Sequence, residues 1–298
     1  MFTDIPALVI RIGVDPVALR LGPLSVHWYG LMYVAGIVVG LRIALPYAER
    51  LGISADKVYD VFWPVLIAAL IGGRLYFVVQ SDLGSYLRHP GNILATWEGG
   101  MAFYGAVFLG VPVAYIACRL RHVSFPRLLD AAALFIPVAQ SFGRIGNIIN
   151  GDIIGYPSTL AWAVRYTNPN NTFVPSHTIA YQPAAAYEMV FSAALFLVIW
   201  SLRRRVSIPG ELFAIWLILY SGGQFILFFA RANPVVFVDL KQAQVTALAT
   251  IAVTIPVAVL WARTQPSRRD RQNANDPEQP QSGPRVQPLE PYDASRTQ

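Results

Sequence analysis

Cysteine occurs once, at Cys118, so no intrachain disulfide or thiolate metal cluster can form. The residue ends an apolar run just before Arg119, with no histidine or lysine near enough to activate it. A packed small hydrophobe fits that setting better than a nucleophile. Charge is scarce as well. Only 13% of residues are charged and 55% are hydrophobic, whereas soluble domains carry about 25% charged residues. That shortage excludes a large soluble core and marks an all-α integral membrane protein. Acids do not recur along any one helix, which excludes the relay of a proton pump or cation channel. His-Glu-x-x-His pairs, nucleophile elbows and phosphate-binding P-loops are also missing, so no metal and no cofactor is expected. The formal charge of +6 comes from basic residues in short connections between apolar runs. It points to membrane topology and the anionic lipid bilayer, with no nucleic acid partner. Met1–Ser25 has three prolines and scattered charges in place of a compact apolar core, so the first span is expected to act as an uncleaved signal-anchor.

What the chain has is long apolar runs. Seven segments reach the about 20 residues a bilayer core requires, over 27–46, 58–79, 99–119, 126–148, 183–202, 210–230 and 242–262. Its 7 Trp, 14 Tyr and 16 Phe suit aromatic belts at both interfaces. Basic residues concentrate after spans one, three and five, at Arg42, Arg50, Lys57, Arg119, Arg121, Arg127 and Arg203 to Arg205, and again in the tail. The sparser set is Arg11, Arg20, Arg88, Arg165, Arg231 and Lys241. The positive-inside rule then places the N-terminus and both long connections outside and the C-terminus in the cytoplasm, as a bundle of seven transmembrane helices requires. A first domain is expected over 1–265. The remainder, 266–298, rich in Pro, Gln and Asp, is expected to be a disordered cytoplasmic tail.

Polar groups break the fourth span at its outer end, in Gly143-Arg144-Ile145-Gly146-Asn147-Ile148-Ile149-Asn150-Gly151-Asp152. An ionisable group at membrane depth costs roughly 2.5–3.5 kcal/mol on insertion scales. Two readings follow: a polar site inside the bundle, or an interfacial arginine that snorkels, beside packing glycines. The clustering with Asn147 and Asp152 favours the site. Arg144 and Asn147 are three apart and share a helix face, where a planar guanidinium fork and an amide suit a phosphodiester. Other candidates each have a plainer role. Tyr29 could anchor an aromatic belt, Arg74 beside Gly72-Gly73 could snorkel, Glu188 could balance a helix N-terminus, and Arg231 could be an ordinary interface residue. Basic and amide groups near one leaflet indicate an anionic lipid headgroup or another anionic ligand.

Several segments together carry a family resemblance: His27-Trp28-Tyr29-Gly30-Leu31-Met32-Tyr33, Gly72-Gly73-Arg74, Gly99-Gly100-Met101 with Phe103 and Gly105, and Gly143-Arg144-Ile145-Gly146-Asn147 with Asn150-Gly151. Pro183, Tyr187-Glu188, Leu219-Tyr220, Phe228-Phe229-Ala230-Arg231 and Gln244 continue in the same order. Over nearly all of residues 20–262 the chain resembles the prolipoprotein diacylglyceryl transferases. The resemblance implies a multi-pass enzyme of the bacterial inner (plasma) membrane. Its partners would be phosphatidylglycerol and prolipoprotein signal peptides with a lipobox cysteine. It would move the diacylglyceryl group of the lipid to that cysteine's thiol, leaving a thioether and glycerol 1-phosphate. Carried over residue by residue, Arg144 and Arg231 would bind the phosphate. Asn147, Tyr29 and Gly155 would line the headgroup site, with Arg74 and Glu188 in the lipid-binding set. Tyr104 or Asp152 would orient the thiol. Departures from the family pattern fall at Tyr104, where a histidine is usual, at Asp152 for a glutamate, at Gln224 for an arginine and at Phe228 for a glutamate. These motivate a rival reading, a catalytically altered paralogue that binds anionic glycerolipid. A non-enzymatic transporter or lipid-binding membrane protein is a further rival; a transporter would show a polar stripe across the bilayer, and here polarity gathers toward one leaflet.

Overall fold

The computed structural model describes residues 9–22, 24–96 and 99–265. Most of it is helical: α1 (Trp28–Arg50), α2 (Ala55–Gln80), α3 (Leu83–Arg88), α4 (Phe103–Leu120), α5 (Phe125–Asn150), α6 (Ala184–Leu202), α7 (Glu211–Leu227) and α8 (Gln242–Thr264), with a 3-10 turn at Pro90–Ile93. Six of these helices are long and apolar enough to cross a membrane; α7, at 17 residues, falls just short. Residues to Ala258 form one compact unit. A second begins at Val259, of which the described part is the end of α8 and Gln265. The expected tail, 266–298, lies outside the described residues.

Each expected span coincides with a helix, and the differences at the ends have local causes. The third starts at Phe103, not Gly99, because Gly99 and Gly100 both take left-handed φ (90° and 81°), which ends any helical continuation upstream. The sixth stops at Leu227 and Phe228–Ala230 turn away, since Arg231 pairs as an isolated bridge with Gly155. The connections also contain strands that hydropathy does not show. β1 (Ile10–Ile12) lies parallel to β4 (Val164–Tyr166), β2 (Val17–Leu21) pairs antiparallel with β3 (Leu24–His27), and β5 (Val235–Phe237) with β6 (Leu240–Lys241). The bundle is therefore all-helical, while, among the described residues, the segment before α1 and the connections hold three two-stranded ladders.

α5 is the central helix, packed along α1 and α6, with α2 paired to α4. Small residues set these distances. A Cβ on Gly36 would stand 2.9 Å from Phe142 Cβ, and one on Gly72 would stand 2.3 Å from the Gly105 carbonyl oxygen, so α1 meets α5 and α2 meets α4 at near-backbone contact. At the opposite end from Arg144, buried Asp130 accepts hydrogen bonds from Gly210 N (2.7 Å) and Phe213 N (3.1 Å). A carboxylate from α5 thus caps the N-terminus of α7. Large apolar side chains such as Val34, Val38, Ile67, Leu70 and Phe108 remain more than half exposed on the helices. So broad an apolar surface is the signature of a bundle bathed in lipid.

Candidate active site

Four helix ends converge at one end of the bundle, and each brings a polar side chain. The C-terminal end of α5 carries Arg144 and Asn147, and the N-terminal end of α6 carries Glu188. The turn after α7 carries Arg231, and the start of α1 carries Tyr29. Glu188, 1% exposed, joins them. Arg144 Nη2 lies 2.6 Å from its Oε2, and Arg231 Nη1 donates to its Oε1 at 2.9 Å. Arg144 Nη1 also donates to Asn147 Oδ1 (3.0 Å), and Asn147 Nδ2 reaches both carboxylate oxygens of Asp152 (3.0 Å each). Arg231, Glu188, Arg144, Asn147 and Asp152 thereby form one continuous chain of charge and amide.

The surrounding structure holds that chain in place. α5 ends where Gly151 adopts φ 77°, and a Cβ there would meet Val174 Cγ2 at 2.7 Å. The carbonyls left open at that end are taken by the connection that follows. Tyr166 Oη donates to Ile148 O (2.9 Å), and Asn171 Nδ2 donates to Ile149 O (2.8 Å) and Asn150 O (3.3 Å). Burial, reinforced by the nearby Asp152 charge, pushes the Tyr166 phenol above its ordinary pKa, so it acts as a neutral donor. Gly155 N bonds Gln182 O, and a Cβ on Gly155 would stand 2.5 Å from Ala230 O; only glycine lets the backbone before Arg231 come so near.

Arg231 lies over the Phe228 ring at 4.4 Å from its centroid. Burial pulls its pKa below the ordinary arginine value; Glu188 opposes that pull and the Arg144 guanidinium adds to it. Its Nε is buried with no partner among the described residues, leaving a charged donor open. Tyr29 packs against Gly146, whose added Cβ would stand 3.0 Å from Tyr29 Cα. Its hydroxyl pairs with that of Tyr33 (3.0 Å), within electrostatic range of Asp152 and Arg144.

Two of the expected residues make other attachments. Arg74, 6% exposed, gives its donors to the carbonyls of Asn92, Ile93, Ala95, Gly99 and Gly100, tying these parts of the connection after α2 to that helix. Tyr104 shares a hydrogen bond with Thr246 of α8 (2.9 Å). Other residues at this end gave no sequence signal as site residues. Tyr166 and Asn171 read as ordinary loop residues, and Lys241 counted only as a loop charge. Tyr220, although part of the family-like Leu219-Tyr220, had no role; it lies in the field of Arg144, Glu188 and Arg231.

Helices long and apolar enough to cross a membrane, with two guanidiniums closing on one buried carboxylate at the bundle end, define a multi-pass helical membrane protein with a charged polar site. The comparisons narrow the class. A family model described as prolipoprotein diacylglyceryl transferase matches residues 16–261. A phosphatidylglycerol–prolipoprotein diacylglyceryl transferase of Cupriavidus pinatubonensis is 35% identical over 265 residues, covering 85% of this chain and 93% of that protein. Proteins of the same name from Geobacter sulfurreducens (37% over 223 residues; 73% and 82%) and Burkholderia mallei (35% over 255 residues; 75% and 85%) are similar to it. The chain belongs to the prolipoprotein diacylglyceryl transferase family.

Proposed function

We propose that this chain transfers the diacylglyceryl group of phosphatidylglycerol to the lipobox cysteine of prolipoproteins, the activity its relatives' names describe. The convergence of Arg144 and Arg231 on buried Glu188 is the observation that carries this reading. In the reaction the acceptor sulfur forms a bond to the terminal glycerol carbon of the diacylglyceryl group. The bond from that carbon to the phosphate oxygen breaks, its electron pair leaves with glycerol 1-phosphate, and the thiol proton is lost to the leaving phosphate or to solvent-exposed Asp152. Charge grows on the phosphate as the carbon–oxygen bond opens, and fixed guanidiniums stabilise it there without reorganising. Asn147, held between Arg144 and Asp152, sets the direction of both. Gly155 and Tyr29 line the headgroup site, and Arg74 shapes it from a distance by holding the 81–100 connection. Tyr104, bonded to Thr246, is assigned no proton transfer; a substrate thiol beside two guanidiniums gains thiolate character without a base.

The same reading includes seven spans, α7 among them, with the N-terminus outside, the C-terminus in the cytoplasm and the bacterial inner membrane as location. The test is purified protein with phosphatidylglycerol vesicles and a lipobox peptide, followed by mass spectrometry. A peptide gaining one diacylglyceryl group, and losing that gain in Arg144→Gln, is the expected result. No adduct from the native protein, or full activity in Arg144→Gln, overturns the reading. Complementation of a transferase-depleted strain then distinguishes a full enzyme from a catalytically altered paralogue.

A further inference from the structure

Lys241 opens β6's exit into α8 and is 5% exposed, a burial that lysine rarely tolerates without a carboxylate partner. None is present among the described residues, whose ion pairs are Arg121–Asp60, Arg144–Glu188 and Arg231–Glu188. Asp239, two residues away, is exposed and makes no ion pair with it. The ammonium instead donates to the carbonyls of Phe228 and Arg231 and faces the Tyr156 ring at 4.9 Å. Its backbone N–H is fixed by Gln244 Oε1 (2.9 Å), itself 1% exposed. Lys241 is thus anchored against the turn that carries Arg231 and the segment that carries Gly155.

The charge of this region then follows. Arg144 and Arg231 carry two positive charges, and Glu188 and Asp152 two negative ones, so the network alone is neutral. α7 adds none, for its buried polar residues are Ser221 and Gln224. Lys241 adds one positive charge beside that neutral network, and a phosphodiester carries one negative charge. Resting on the transferase reading above, we infer that Lys241 is the third cation of the phosphate site. It positions Arg231 through its main chain, and its uncompensated charge draws the lipid phosphate away from competition with Glu188 and Asp152.

The test measures affinity for sn-glycerol 1-phosphate by calorimetry on detergent-purified full-length protein, so that it does not depend on turnover. Lys241→Gln keeps a donor for the carbonyls and removes the charge; Lys241→Arg keeps the charge. Loss of about tenfold in affinity in Lys241→Gln, in line with the strength of hydrogen bonds and contacts to charged groups, is expected, with recovery in Lys241→Arg. Unchanged affinity in Lys241→Gln, or an arginine variant as weak as the glutamine one, overturns the inference. If Lys241→Gln does not fold, Tyr156→Glu serves, because it places a carboxylate against the ammonium from a position 43% exposed. Weakened binding relative to Tyr156→Gln supports the inference, and equal binding overturns it. Peptide transfer by the native protein is assayed in parallel. Its absence alongside normal, Lys241-dependent anion binding removes the transferase reading and leaves this one standing.

Discussion

Glu188 is the residue through which the two arginines are tied to each other. With 1% of its surface exposed, it forms ion pairs with Arg144 and Arg231 at once. Replacing it by glutamine keeps the shape and leaves two guanidiniums face to face. Breaking a buried ion pair from one side costs on the order of 3–5 kcal/mol, because the remaining charge is left uncompensated. Glu188→Gln is therefore expected to lower the melting temperature of the purified protein by several degrees, and added inorganic phosphate should raise it more in the variant than in the native protein. An anion replaces the missing carboxylate in that case. An unchanged melting temperature, or equal stabilisation by phosphate in both proteins, contradicts the arrangement. The opposite case is Arg74, whose charge is met, among the described residues, by carbonyl dipoles and by the rings of Phe77 and Tyr86. Its task in the structure is to shape a connection, and its sequence setting beside two glycines does not distinguish that task from lipid binding.

Helices in this chain are spaced by glycine, and the α2–α4 pair shows how strictly. A Cβ on Gly105 would stand 2.2 Å from the Gly72 carbonyl oxygen and 2.3 Å from Tyr76 Cβ, whereas one on Gly110, further along α4, meets nothing nearer than Ala69 Cβ at 3.6 Å. Gly105→Ala is expected to cost about 1–3 kcal/mol or more, the range for an overpacked core. Gly110→Ala should be neutral or stabilising, since alanine favours a helix interior by about 1 kcal/mol over glycine. Thermal melts of the two variants in detergent check the contrast, and equal melting temperatures contradict the packing. Runs of about twenty apolar residues make the helices themselves legible from the sequence. Helix periodicity likewise puts Arg144 and Asn147 on one face. Glu188 and Arg231 each have an ordinary local explanation, and only the meeting of α5, α6 and α7 shows that they share a partner. Lys241 escapes any sequence reading, because its burial is produced by a two-residue strand and by carbonyls ten and thirteen residues earlier. Asn171 escapes for the same reason, as its partners lie at the end of a helix more than twenty residues before it.

For the whole molecule, the distribution of charge and the length of α7 bear on the proposed orientation. Arg203, Arg204 and Arg205 follow α6 at the end of the bundle away from the site, and Arg119 and Arg121 close α4 there too. On the proposed topology the positive loops lie in the cytoplasm, which would put the Arg144–Glu188–Arg231 end outside, where the proposed prolipoprotein acceptor would present its thiol. On the proposed seven-span topology α7 is the limiting element. Its 17 residues extend roughly 25 Å at the helical rise, short of a hydrocarbon core of about 30 Å. On that topology the turn carrying Arg231 would be drawn below the headgroups, to the depth at which a lipid phosphate meets its glycerol. Cysteine labelling tests the orientation on a quiet background, because Cys118 is wholly buried. Thr172→Cys places a thiol on the exposed 151–182 connection, and Arg204→Cys places one beyond α6. In intact cells a membrane-impermeant maleimide should label the first and not the second, with both labelled after the inner membrane is opened. The reverse pattern would put the site in the cytoplasm, where the acceptor would have to be modified before export, and the proposed direction of the reaction would fail.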